Sequence, residues 1–226
     1  YFSSGMLPVA NIEIEHHYDV GTMDPVFTPQ ITTINDDYRE RALKQIADMF
    51  GGGSMEGIGQ KMSANFELLA QVLDMSQSVA CQQGDSCAFK TDDVVVKLEV
   101  NKAPGMKGGL KLGCSAADAL ILQYYEEQDD AKADFGHQLK LADWEKISEV
   151  KDWYGDVLFT APLVAVNVAH PMMQEILAEL KTESRKFVFL CGHDSNIGSV
   201  LAAIGANDYS LPETIEKKTP IGSKLV

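Results

Sequence analysis

The residues best suited to chemistry are Gly192-His193-Asp194-Ser195-Asn196, which lie between an apolar run at 187–190 and a helical apolar pattern over Ile197, Val200, Leu201 and Ile204. A strand, a glycine-led turn and a helix leave unpaired backbone N–H groups at the turn, where open α/β sheets collect anions. In that place Gly192 allows close backbone approach, His193 can donate to a phosphoryl oxygen and Asp194 can act as an acid. Phosphate-ester cleavage needs such an acid because an alkoxide leaves poorly. The same residues also suit a plainer role, in which Asp194 or Ser195 caps the helix and His193 satisfies a local backbone group. Spacing does not choose between the two.

Four cysteines divide unevenly. Cys81 and Cys87 flank a short polar run, whereas Cys114 and Cys191 sit far apart in hydrophobic settings. The close pair suits a short-loop disulfide. A metal site would need further ligands nearby, and no second cysteine pair or histidine adjoins the segment. A disulfide implies an oxidising compartment. Cys114 and Cys191 are expected to be buried as small hydrophobes.

The chain has 226 residues, 45% of them hydrophobic, enough for a sizeable core and little disorder. A formal net charge of -14 repels nucleic-acid backbones and anionic membranes, so neither is expected as a partner. An anionic small molecule would need a locally positive pocket. Arginine, the best bidentate phosphate ligand, occurs only at Arg39, Arg41 and Arg185. No apolar run reaches transmembrane length; the first residues lack the basic start of a signal peptide and the last, 220–226, stop on what reads as the opening of a strand, so both ends are expected to be those of an excised piece.

The elements that must position the Gly192–Asn196 segment follow from periodicity. Alternation over 11–16 predicts a half-buried strand, followed by an irregular connection at Asp24-Pro25. Asn35 or Asp36 caps a helix that Gly51-Gly52-Gly53 stops, and a second helix runs through Ile58, Met62, Phe66 and Leu69. A short strand is expected over 94–100, then a flexible connector at Pro104-Gly105 and Gly108-Gly109. Ser115 is read as the cap of a third helix that ends in an acidic run. Two more helices carry Trp144, Ile147, Val150 and Tyr154, and Val164 to Leu180 with a kink at Pro171. Residues 187–190 read as a buried parallel strand. The expected layout is an α/β core, with a parallel-type sheet flanked by helices, assembled from 1–32 and 182–226 and interrupted by a mostly helical block at 33–181.

The Gly192–Asn196 segment resembles the second signature of the histidine acid phosphatases, a branch of the phosphoglycerate-mutase-like superfamily. Gly21-Thr22-Met23-Asp24-Pro25, Leu122-Gln123-Tyr124-Tyr125-Glu126 and Thr219-Pro220-Ile221-Gly222 are similar, in the same order, to segments of the periplasmic glucose-1-phosphatases and related phytases of that family. The resemblance spans almost the whole chain and also implies a disulfide near Cys81 and Cys87.

The resemblance implies a phosphomonoester hydrolase that forms a phosphohistidine without a cofactor, on a histidine in an Arg-His-Gly-x-Arg motif. Asp194 would protonate the leaving oxygen and His193 would help bind phosphate. The nucleophile does not carry over, because no Arg-His-Gly occurs in this sequence. The family's N-terminal catalytic segment and C-terminal strands are likewise absent from it. Arg185, Lys217 and Lys218 are not expected to replace the missing positive charge, so the chain alone is expected to be inactive. The helical block would cover the pocket, where Asp118 and Glu126 match positions near the family's substrate site and Met23 and Asp24 border it. Carboxylates there would accept sugar hydroxyls and repel extra phosphates, favouring a glucose-1-phosphate-like ester over inositol hexakisphosphate. A solvated helix end explains Asp118 and Glu126 equally simply, and a turn explains Asp24-Pro25. The alternative function is a non-catalytic binding or interaction protein on the same fold. Oligomeric state is not legible in the sequence.

Overall fold

Apolar spacing and capping chemistry account for most elements of the computed structural model, which describes residues 5–10, 14–15, 19–22, 24 and 26–226. Helix α1 (Asp36–Gly51) starts where the Asn35 side chain accepts the Tyr38 N–H at 2.8 Å, and stops at Gly52, whose φ of 63° is left-handed. The second helical stretch divides into α2 (Met55–Gln60) and α3 (Ser63–Val72), with Ser54 capping α2. Gly57 and Gly59 make α2 a weak helix, and the chain turns out of it at Met62. After α4 (Val79–Gln82), Cys81 and Cys87 form a disulfide. Their sequence separation of 6 closes a small loop, so replacing both by serine is expected to lower stability by only about 2 kcal/mol in a denaturant titration.

Strand β1 (Val95–Lys97) pairs antiparallel with β2 (Gly105–Lys107), so the connector expected at Pro104-Gly105 contains a strand. The Gly108-Gly109 pair is a tight joint and not a flexible one. A Cβ on Gly109 would lie 1.9 Å from the Lys90 carbonyl oxygen, and Gly108 has a φ of 105° against Asp93. The Asp93 carboxylate accepts the Gly109 N–H at 2.7 Å and closes the start of α5 (Gly109–Glu126). Ser115 therefore lies inside α5, bonded back to the Lys111 carbonyl, and is not its cap.

Short α6 (Asp130–Ala133) leads to α7 (Leu141–Phe159) and α8 (Pro162–Leu180), whose axes bend by 85° at the break between them. Helix α8 continues through Pro171. Among the described residues no single helix is long and apolar enough to cross a membrane. Ile46, Ile58, Leu69, Leu110, Ile121, Ile147 and Val157, all inaccessible to solvent, build the main core, which also takes in Ile215 from the C-terminal segment. A smaller cluster of Ala169, Met172 and Val200, with Phe27 and Leu190 against it, joins α8 to α9 (Asp194–Ala203).

Residues 187–190 form no strand, and Phe187, Val188 and Phe189 are exposed. A parallel strand has no hydrogen bonds of its own and needs a neighbour. The ladder among the described residues is β1–β2, with one isolated parallel bridge between Ile31 and Val100. Cys191 beside this segment is exposed for the same reason, against the burial expected of it, while Cys114 is buried and burial pushes its thiol up to about 11. The strand expected at 11–16 falls mainly outside the described residues.

Candidate active site

Helix α9 opens where the sequence pattern puts it. The Asn196 side chain, three residues in, accepts the His193 N–H at 2.9 Å. This return loop is why Gly192 has no side chain: a Cβ there would meet Asn196 Oδ1 at 2.7 Å and the Phe27 ring at 3.0 Å. The glycine thus makes room for the cap. Asp194 occupies the first helical position, with one oxygen accepting the Ser195 N–H at 2.7 Å, and is partly open to solvent.

A cavity of about 580 Å³ lies between α5, α7, the start of α9 and the C-terminal segment. That is the size range of small-molecule sites. Asp118 from α5 and Asp194 from α9 both line it. Lys151 from α7 reaches in beside them, 3.3 Å from Asp194 Oδ2 and 2.8 Å from Glu216 Oε1. Glu216 is fully buried, and its other oxygen accepts the Ile221 N–H at 3.1 Å. Burial pulls the Lys151 ammonium down, but hydrogen bonding and charge from Glu216, then Asp194, overcome this and hold it above the ordinary lysine range.

Lys217 and Lys218 line the same cavity. Both are already engaged: Lys217 Nζ is 2.7 Å from Glu145 and Lys218 Nζ is 3.4 Å from Asp156. Arg185 instead pairs with Glu179 and with Glu15. Burial pushes the Asp152 carboxyl up to about 6, against the lowering effects of the Lys217 N–H, at 3.1 Å, and of Lys151. A raised carboxyl contributes stability below the normal aspartate range, and that contribution is lost as pH rises through about 6. Asp152→Asn removes the loss, so the variant is expected to be more stable than the parent by roughly 1–3 kcal/mol near neutral pH and equal to it near pH ~4. Urea titrations at both pH values measure this, and a variant less stable near neutral pH would show that the contacts outweigh burial.

The other expected site residues are dispersed. His193 is exposed at the N-cap and is not among the residues lining the cavity. Glu126 is the last residue of α5, exposed, and also outside the lining. Eight residues of helix put it about 12 Å from Asp118 along the axis. Asp24 accepts the Val26 N–H at 2.9 Å in a turn that also bonds its carbonyl to Thr28, and Met23 lies outside the described residues. Among the described residues no group of three or more His, Cys, Asp or Glu could hold a metal ion.

Sequence reasoning passed over Lys151 and Glu216. Lys151 carried a signal: it falls four after Ile147 and three before Tyr154, a cation on the apolar stripe of α7. Glu216 carried none, since its neighbours Thr214, Lys217 and Lys218 read as a polar loop.

No family model matches the chain. It is similar to the glucose-1-phosphatase of Providencia rettgeri, with 36% identity over 230 residues that cover 100% of this chain and 53% of that protein. The chain is a homologue of proteins named glucose-1-phosphatase. A second relative, the glucose-1-phosphatase of Salmonella typhimurium, is 32% identical over 231 residues, covering 100% of this chain and 54% of its own length. The chain thus spans about half the length of these two relatives. Its fold matches the phytase of Citrobacter braakii with a TM-score of 0.79 at 22% identity, over 95% of this chain and 55% of that one. The Hafnia alvei phytase in complex with myo-inositol hexakis sulphate matches with a TM-score of 0.73 at 19% identity, over 97% and 56%.

Proposed function

We propose that the protein hydrolyses phosphate monoesters of sugars, glucose 1-phosphate being the representative substrate, with Asp194 as the proton donor. The observation that carries this reading is Asp194 at the head of α9 on the wall of the cavity, facing a space that Asp118 also lines, in a chain related over its whole length to glucose-1-phosphatases. In the proposed reaction a histidine outside this sequence attacks phosphorus, the bond to the ester oxygen breaks, and that oxygen takes the Asp194 proton as the alcohol leaves. Water then gives a proton back to the Asp194 carboxylate as its oxygen attacks phosphorus, and the phosphorus–nitrogen bond breaks, releasing phosphate and restoring the histidine. His193 binds a phosphoryl oxygen. Asp118 takes a sugar hydroxyl, with Met23 and Asp24 bordering the entrance, and residues 33–181 form the cap over a core that includes 1–32 and 182–226. In that core, 187–190 joins a parallel sheet, which would cover the apolar side chains exposed there. The Cys81–Cys87 disulfide supports a periplasmic or secreted setting.

Phosphate release by the full-length protein tests the reading. Turnover of glucose 1-phosphate with a higher kcat/KM than inositol hexakisphosphate is expected. Calorimetric binding of glucose 1-phosphate without any phosphate release would favour the non-catalytic binding protein instead.

A further inference from the structure

Lys151 is the one cation within ion-pairing distance of Asp194 among the described residues, and it is held from behind. Glu216, at 0% exposure, has both oxygens engaged, one by Lys151 at 2.8 Å and one by the Ile221 N–H at 3.1 Å. The residues flanking Glu216 are pinned too: the Ile215 carbonyl accepts from Ser148 on α7, and the Lys217 N–H donates to Asp152 on the same helix. A long, flexible lysine is thereby tied to the core on one side and reaches a partly exposed carboxyl on the other.

We propose that Lys151, anchored by Glu216, is a positioning residue that holds the Asp194 carboxyl toward the cavity. The inference rests on the phosphatase reading above, in which Asp194 is the acid. Charge balance explains why a lysine can do this without abolishing proton uptake. Lys151, Glu216 and ionised Asp194 sum to one negative charge, and the set becomes neutral when Asp194 takes its proton. Glu216 offsets the ammonium, so the Lys151–Glu216 pair adds no net charge beside Asp194. The other charges around the cavity are Lys111 and Asp118 on α5, Asp152 and Asp156 on α7, Asp208 beyond α9, and the already paired Lys217 and Lys218.

The experiment compares the full-length parent with K151R, K151M and the charge-balanced double variant K151M/E216Q, each checked for folding by circular dichroism. The rates of glucose 1-phosphate and of an aryl phosphate with a good leaving group are followed across pH. The expected result for K151M, or for the double variant if K151M does not fold, is a fall of about ten- to a hundredfold in kcat on glucose 1-phosphate, little change on the aryl ester, and partial recovery in K151R. A folded double variant that keeps the parent's ratio between the two substrates would overturn the proposal while leaving the phosphatase reading intact. A parent that releases phosphate from neither substrate would overturn both.

Discussion

Asp194→Asn in the full-length protein should lower kcat on glucose 1-phosphate by about 10²–10⁴-fold and affect an aryl phosphate far less. The asymmetry follows from the chemistry of the leaving oxygen. A sugar alkoxide needs the proton as the phosphorus–oxygen bond breaks, while a stabilised aryl oxide leaves without it. The substitution is also mild for the fold. The asparagine oxygen can still accept the Ser195 N–H, and the cap made by Asn196 on the His193 N–H does not involve residue 194. Steady-state kinetics on the two substrates measure the effect. Equal losses on both would point to a damaged pocket and not to a missing acid, and an unchanged rate on the sugar ester would remove Asp194 from the mechanism.

The second large effect is on stability. Glu216→Ala is expected to destabilise the protein by about 3–5 kcal/mol, measured by urea titration, because it strips a mostly buried ammonium of its main counter-charge. The Lys151 side chain is only 15% exposed, so water screens the loss poorly. Asp194, at 3.3 Å and half open to solvent, compensates weakly. The same deletion frees the Ile221 N–H and loosens the C-terminal segment that closes the cavity. Adding Lys151→Met to Glu216→Ala should recover much of the cost, since an empty apolar site is cheaper than an unpaired charge. If the single variant lost less than about 1 kcal/mol, the pair would be behaving like a surface ion pair and the burial argument would fail.

These two residues differ in how they could be read from sequence. Asp194 was legible because its signal is local: glycine, histidine, an acid and an asparagine, ahead of an apolar helical face, define a capped helix start whatever surrounds it. The same holds for Asn35 capping α1 and for the two long helices over Trp144 to Tyr154 and Val164 to Leu180. Capping and apolar periodicity act over a few residues, so they survive without tertiary context. Ser115 misled for a related reason. Its type suits a cap, but the actual start of α5 is closed by Asp93, sixteen residues before Gly109.

The Gly192–Asn196 segment, the acidic balance and the spacing of Cys81 and Cys87 were determined by the sequence itself, because each depends on neighbouring residues or on composition. The tertiary structure alone decided that Asp194 and Asp118 share a cavity, that Glu126 stands away from it, and that Lys217 and Lys218 line it while engaged elsewhere. It alone decided that Lys151 joins Asp194 to a carboxylate sixty-five residues further along the chain than itself. Such pairings rest on long-range packing: Glu216 is buried only because Ile215 enters a core built by helices far from it in sequence, and no local pattern encodes which polar residue that core will enclose.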